Sequence, residues 1–208
     1  MSGEVWKIAE IRLKQLEKSF EVSKKRHPVL RQFSTELDTE KITVILGRSG
    51  CGKTTLLRIL AGLESLDGGE ILFEKQEKLG VVFQEPRLMP WLTLEQNILF
   101  GADKKKYSKN QLKERAEGLL KLTGLEKFGN AYPDQLSGGM MQRAALGRAL
   151  ACDASYLLMD EPFAALDHFT RQTMQKEFLR ICAEERMGAL FVTHSVDEAL
   201  LLGDEILI

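Results

Sequence analysis

The sequence has no apolar run long enough to cross a membrane. Its runs such as "ITVIL" and "ALFV" fall far short of the ~18 residues that a spanning helix needs. The start, "MSGEVWKIAE", lacks the charged and apolar regions of a secretory signal, so the chain is expected in the cytoplasm. Cysteine is scarce. Cys51, Cys152 and Cys182 are odd in number and lack CxxC spacing, which suits reduced thiols better than a disulfide frame or a zinc site. A strong charge of either sign is missing too: the formal net charge is −1, so no global field calls for nucleic acid. A composition of 44% hydrophobic and 28% charged residues argues against disorder. Internal repeats and low-complexity linkers are absent, and 208 residues suffice for one good core.

What is present is an alternation of strand-length apolar stretches with longer helical patterns, the mark of an α/β protein with a mainly parallel sheet. The strands are read as "ITVIL" (42–46), "EILFE" (70–74), "VVFQ" (81–84), "YLLMD" (156–160), "ALFVT" (189–193) and "EILI" (205–208). The first forty residues differ. "AEIRLKQLEKSFEV" and "HPVLRQFSTEL" mix weak alternation with charge, which fits an antiparallel sheet beside the parallel one. Between Glu85 and Leu150 the pattern turns helical, with Leu112, Ala116, Leu119 and Leu120 near one face, as in an inserted helical subdomain. "DKKK" at 103–106 reads as a solvated turn.

"GRSGCGKTT", 47–55, follows a strand and opens a helix. It meets the pattern G-x-x-x-x-G-K-[ST] through Gly47, Gly52, Lys53 and Thr54, with Gly50 as an extra glycine. Glycines let successive backbone N–H groups converge on phosphate oxygens, and the helix start adds free N–H groups and a positive dipole end. Lys53 is expected to reach the β- and γ-phosphates and the Thr54 hydroxyl to ligate Mg²⁺. Arg48, Ser49, Cys51 and Thr55 complete the ATP-binding run, Cys51 as a small residue in a free position. The buried strand in "YLLMDEPF" delivers Asp160 to its carboxyl end, where it can hold Mg²⁺. Glu161, next along and pointing the other way, is then free to act as general base or to orient the attacking water.

With "LSGGMMQRAALGRAL" at 136–150 lying shortly before "YLLMDEPFAALD", the chain resembles the ABC-type ATPases over nearly its whole length. The start of that segment also reads as an ordinary helix cap, Ser137 bonding a free N–H; a helix start bare of side chains can still receive a phosphate. The resemblance implies a single domain over 1–208: a P-loop NTPase core at 1–84 and 151–208 with an N-terminal antiparallel β-subdomain, and an inserted α-helical subdomain at 85–150. It implies a head-to-tail homodimer when ATP is bound, with Ser137, Gly138 and Gly139 contacting the γ-phosphate in trans and Asp167 at the dimer interface. By the same resemblance Gln84 contacts Mg²⁺ and the water, and His194 bonds the γ-phosphate. Phe20 matches the aromatic that stacks on adenine, with a core aromatic as the alternative.

Within the family, "VVFQEPRLMPWLTLEQNI" looks most like the importer ATPases for nitrate, sulfonate and taurine. The implied activity is ATP hydrolysis, with ATP and Mg²⁺ as cofactors, powering uptake of a small anion or organic solute. The implied partners are transmembrane permease subunits docking near Gln84–Leu92, with an extracytoplasmic solute-binding protein engaged indirectly. The implied location is cytoplasmic and peripheral, on the inner face of the cell membrane. Leu88, Met89, Trp91 and Leu92, interspersed with Pro86 and Pro90, suit such docking, or else pack into the subdomain. The alternative is a non-transport ABC ATPase acting as a mechanical or assembly switch, but the long coiled coils or second cassette of such chains are absent. A GTPase lacks support because the [NT]KxD pattern is missing. Three departures from the family pattern are a short Lys53-to-Gln84 stretch, an end inside the strand "EILI", and Met141 where a basic residue is common.

Overall fold

The computed structural model describes residues 10–75 and 78–208; Ala9, read as the first residue of the leading strand, lies outside them. β1 (Glu10–Val22) and β2 (Lys25–Asp38) form an antiparallel hairpin. Its two-residue turn puts Ser23 and Lys24 at φ 52° and 62°, the left-handed pair that matches strand twist. Gln15 and Gln32 also have left-handed φ, 48° and 50°, and the β1–β2 register shifts beside Leu16. After the shift the buried positions of β1 change parity, from Ile11 and Leu13 to Leu16 and Lys18. Such bulges reset a period of two, which is why alternation in this region is weak.

β3 (Ile42–Leu46) leads through the phosphate loop into α1 (Lys53–Leu60). β4 (Gly68–Phe73) then returns to β1, pairing antiparallel with Phe73 opposite Ile11 and Glu70 opposite Lys14. The strand read at 70–74 thus belongs to the antiparallel sheet, in the order β2-β1-β4, and not to the parallel one.

β5 (Leu79–Val82), β6 (Tyr156–Asp160), β7 (Gly188–Thr193) and β8 (Glu205–Leu207) join β3 in a parallel sheet of order β5-β6-β7-β3-β8. Both faces are covered, so the inner strands read as continuous apolar runs. Tyr156 and Leu158 face the antiparallel sheet and α1, meeting Leu13, Leu16, Leu56 and Leu57. Leu157 and Met159 face α5 (His168–Glu185) and α6 (Val196–Leu202), among Phe163, Phe178 and Phe191. The Phe163 ring centre lies 5.6 Å from that of Phe191 and 6.3 Å from that of Phe178, pairs worth about 0.5–1.5 kcal/mol each beyond area burial.

Between β5 and β6 run α2 (Leu94–Ile98), α3 (Lys109–Leu122) and α4 (Gly138–Ala151). Leu94, Ile98, Leu120, Leu125 and Ala144 form their own apolar cluster. α2 and α3 open on reciprocal caps, Thr93 with Gln96 and Ser108 with Gln111, which satisfy two free N–H groups each. α4 serves two cores: Ala144 and Ala151 sit in the helical cluster, whereas Leu146 and Ala149 pack under the parallel sheet.

Candidate functional site

Consecutive strands of the parallel sheet deliver their carboxyl ends to one edge, where ligands collect in open α/β sheets. β3 leads to Gly47, β7 to His194, β6 to Asp160 and β5 to the bend at Gln84. A cleft of about 530 Å³ lies there, and its walls include Phe20, the loop residues Ser49 and Gly50, Lys53, Gln84 and His194. Glu161, Gly52, Thr54, Thr55 and Val29 complete it. Gly47, Arg48 and Cys51 belong to the same loop without lining the cleft; the exposed Cys51 lies within 3.9 Å of Lys53 Nζ.

The loop is shaped by its glycines. Gly50 and Gly52 have φ of 82° and 105°, values a side chain rarely adopts. A Cβ on Gly52 would also stand 2.8 Å from Val29 Cγ1, so β2 packs directly on the loop backbone. Lys53, 8% exposed, curls back and donates from Nζ to the carbonyls of Gly47 at 2.7 Å and Arg48 at 2.9 Å. Its ammonium therefore sits at the mouth of the loop beside the free N–H groups of α1, a converging positive field suited to phosphate.

Asp160, the last residue of β6, is 4% exposed and accepts a hydrogen bond from the Thr54 hydroxyl at 3.1 Å. Burial pushes its carboxyl up from the ordinary value, while the Thr54 bond pulls it down. Hydroxyl and carboxylate oxygens are hard donors, and no group of three acidic, His or Cys residues among the described residues could hold a metal by itself. That donor set fits Mg²⁺, which keeps several waters and shares itself between one or two protein oxygens and a substrate's phosphates.

Two geometric expectations need correction. Glu161 does not face away from Asp160 by continued strand alternation, because β6 stops at Asp160. Glu161 instead turns at φ 46°, its N–H bonded to Val192 O at 3.0 Å, and this left-handed step swings its carboxylate into the cleft, 3.0 Å from His194 Nδ1. Gln84 does not end a strand either. β5 stops at Val82 and Gln84 lies exposed in the following bend, so its side chain reaches the cleft from a loop.

Phe20 stands near the hairpin turn, 37% exposed, with Lys18 Nζ 5.2 Å from its ring centre. This is a cleft wall and not a core position. Val29 carries no distinguishing signal in the sequence; it joins the site because the hairpin folds over the loop.

Ser137, Gly138 and Gly139 do not reach the cleft of their own chain. Ser137 caps α4, accepting Met140 N–H at 3.3 Å, and Ser137 and Gly138 are exposed. A Cβ on Gly138 would meet nothing within 4 Å, and one on Gly139 would meet Leu166 Cδ2 at 3.3 Å. Asp167, also exposed, caps α5 by accepting Thr170 N–H at 3.0 Å, and that bonding lowers its pKa.

The segment around and after Gln84 is fastened from two sides. Gln142 of α4 donates to Phe83 O at 3.0 Å, and Arg148 to Arg87 O at 2.7 Å and Pro86 O at 2.8 Å. Asn97 of α2, fully buried, donates to the carbonyls of Met89, Leu92 and Thr93 and accepts Met89 N–H at 2.7 Å. Of the apolar group on this segment, Leu88 packs toward the helical cluster, Met89 and Leu92 are half-buried, and Trp91 is 70% exposed. No helix among the described residues is long and apolar enough to cross a membrane.

Residues 30–164 match the family model described as ABC transporter. An uncharacterized ABC transporter ATP-binding protein of Methanocaldococcus jannaschii is 45% identical over 205 residues, covering 96% of this chain and 77% of that protein. An aliphatic sulfonates import ATP-binding protein of Pseudomonas syringae pv. tomato is 47% identical over 183 residues, covering 88% and 76%. Among solved structures, the dimeric post-hydrolysis state of the ATP-binding cassette MJ0796 bound to ADP and Pi has a TM-score of 0.85 at 28% identity, covering 95% of this chain and 96% of that one.

Proposed function

This chain belongs to the ABC transporter family as an ATPase that binds ATP and Mg²⁺, and from that premise we propose how it works and what it drives. It is the ATP-hydrolysing subunit of an importer, for a small anion or organic solute. Residues 1–84 and 151–208 act as nucleotide-binding core and 85–150 as helical subdomain of one domain. The observation that carries the reading is the single cleft walled by Phe20, Lys53, Gln84, Glu161 and His194.

In this reading the adenine stacks on Phe20 beside Val29, and the amides of 49–55 with the start of α1 receive the phosphates. Gly47, Arg48 and Cys51 contribute through the loop they shape. Lys53 exchanges its carbonyl partners for β- and γ-phosphate oxygens. Thr54, Asp160 and Gln84 would hold Mg²⁺, which when bound neutralises charge on the phosphates. Glu161 orients the attacking water and accepts its proton, and His194, 3.0 Å from Glu161, steadies that carboxylate while bonding the γ-phosphate.

Ser137, Gly138 and Gly139 of a second copy cap the γ-phosphate, and Asp167 lies at that head-to-tail interface. The exposure of Ser137 and Gly138, and the absence of 137–139 from the walls of their own chain's cleft, support this arrangement. ATP closes the pair and hydrolysis lets it reopen. Permease subunits dock on Gln84–Leu92, where Trp91 stands in solvent, and motion passes through the fastened loop. A solute-binding protein outside the membrane is engaged only through the permease, and the chain works from the cytoplasmic, inner face of the membrane.

Glu161→Gln keeps the shape and removes the base, so this variant should bind ATP and sediment as a nucleotide-trapped dimer. Monomers alone in saturating ATP would overturn the reading.

A further inference from the structure

We infer that Glu198 is a positioning residue for hydrolysis: through Thr193 it fixes the backbone on both sides of His194 and ties that histidine to α5. The inference rests on the reading of His194 as the γ-phosphate contact.

Residues 195–198, "SVDE", spell a capping box at the start of α6. One half is present, since Ser195 Oγ accepts Glu198 N–H at 3.3 Å. The other half would return the Glu198 carboxylate to the Ser195 N–H, at the helix end. It does not form. The Ser195 N–H donates instead to Thr193 Oγ1 at 3.0 Å. The Thr193 hydroxyl in turn donates to Glu198 Oε2 at 2.6 Å, and Glu198 Oε1 accepts Gln175 Nε2 of α5 at 3.1 Å.

The carboxylate has therefore been drawn inward. Thr193 is 1% exposed, Gln175 4% and Glu198 9%, so the network is withdrawn from bulk solvent, and burying a carboxylate is costly unless its oxygens are satisfied. A cap alone would not need this burial, because the same carboxylate could meet the Ser195 N–H nearer solvent. What the inward arrangement achieves is a short hydrogen-bonded bridge that spans His194: the residue before it accepts from the residue after it. Thr193 is β-branched and stiff at χ1, so the bridge has little freedom. His194 itself is exposed, and its one described side-chain partner is Glu161 Oε1. Without the bridge it would follow β7 on an unsupported loop. Gln175 carries the restraint to α5, whose first cap is Asp167.

The test measures ATP hydrolysis, nucleotide affinity with a fluorescent ATP analogue, and the His194 imidazole resonance by NMR, with circular dichroism to establish folding. Thr193→Val keeps the shape and removes the hydroxyl. It should lower kcat about tenfold, leave KM and nucleotide affinity within about twofold, and shift the His194 resonance. Thr193→Ser restores the hydroxyl and should restore kcat. Glu198→Gln keeps an acceptor for Thr193, and the Gln175 amide can turn its oxygen to the new NH₂, so this variant should stay near wild type. Glu198→Leu should match Thr193→Val, and the double variant should be no worse than either, as for members of one network.

A folded Thr193→Val with wild-type kcat and an unmoved His194 resonance overturns the inference. So does a loss of nucleotide affinity as large as the loss of kcat, which would mark a general structural defect. His194→Ala separates the two layers. If it leaves kcat unchanged, the reading of His194 falls and the inference with it; if it lowers kcat while Thr193→Val does not, only the inference falls.

Discussion

Gly52 and Gly138 both stand at helix starts that are proposed to meet phosphate, yet their surroundings differ. At Gly52 the backbone is left-handed, at φ 105°, and a Cβ would press on Val29. The fold of one chain therefore requires glycine there. At Gly138 a Cβ would meet nothing within 4 Å, and alanine would suit a helix better by up to ~1 kcal/mol. Nothing inside the chain explains that bareness. A half-site built by burial and hydrogen bonds within one molecule is thus set against a half-site left open at a surface, which is what a composite site between two copies needs.

The largest effect should come from disabling each half separately. Lys53→Ala should cost about a hundredfold in nucleotide affinity, ~2.7 kcal/mol, whereas Gly138→Asp should leave the affinity of the single chain unchanged and abolish hydrolysis by opposing the phosphate charge. Mixed, the two inactive variants form pairs with one intact composite site, so ATPase activity should return. No recovery at any mixing ratio would break the comparison. Next comes Gly52→Ala, which forces a left-handed alanine at about 1–2 kcal/mol and crowds Val29. Thermal unfolding should shift down by about 2–4 °C per kcal/mol, with weaker nucleotide binding alongside. The smallest effect sharpens the contrast: Gly138→Ala should raise stability by about 0.5 kcal/mol while lowering hydrolysis. A stability loss there would reveal an internal reason for glycine.

The phosphate loop, Asp160 and the strands around them are legible in the sequence because they are local: an apolar run, a glycine pattern and a helix start occupy neighbouring positions. Gly47, Asp160 and His194 could be placed at one sheet edge from strand patterns alone. Gln84 could be assigned to that edge, but not to a bend past the end of β5. Other parts depend on tertiary contacts or on single dihedral angles. Val29 enters the cleft only when the hairpin folds over the loop, and bulges at Gln15 and Gln32 erase the alternation that would have marked its face. Glu161 was expected to differ from Asp160 by strand alternation; one left-handed φ accomplishes the separation instead. Glu198 draws no attention in the sequence, because its partners Gln175 and Thr193 meet it only through packing.

The two carbonyls that hold Lys53 have a consequence for turnover. A lysine whose only counterpart was a nucleotide would be stranded as a bare cation, poorly hydrated, each time product departed, and that stranding would slow release. Here the ammonium has acceptors in its own loop to fall back on. On the proposed reading, in which Lys53 meets the β- and γ-phosphates, spent nucleotide would leave and fresh nucleotide would enter by swapping one set of oxygens for another, and the cradle would reset between cycles without stranding a bare charge.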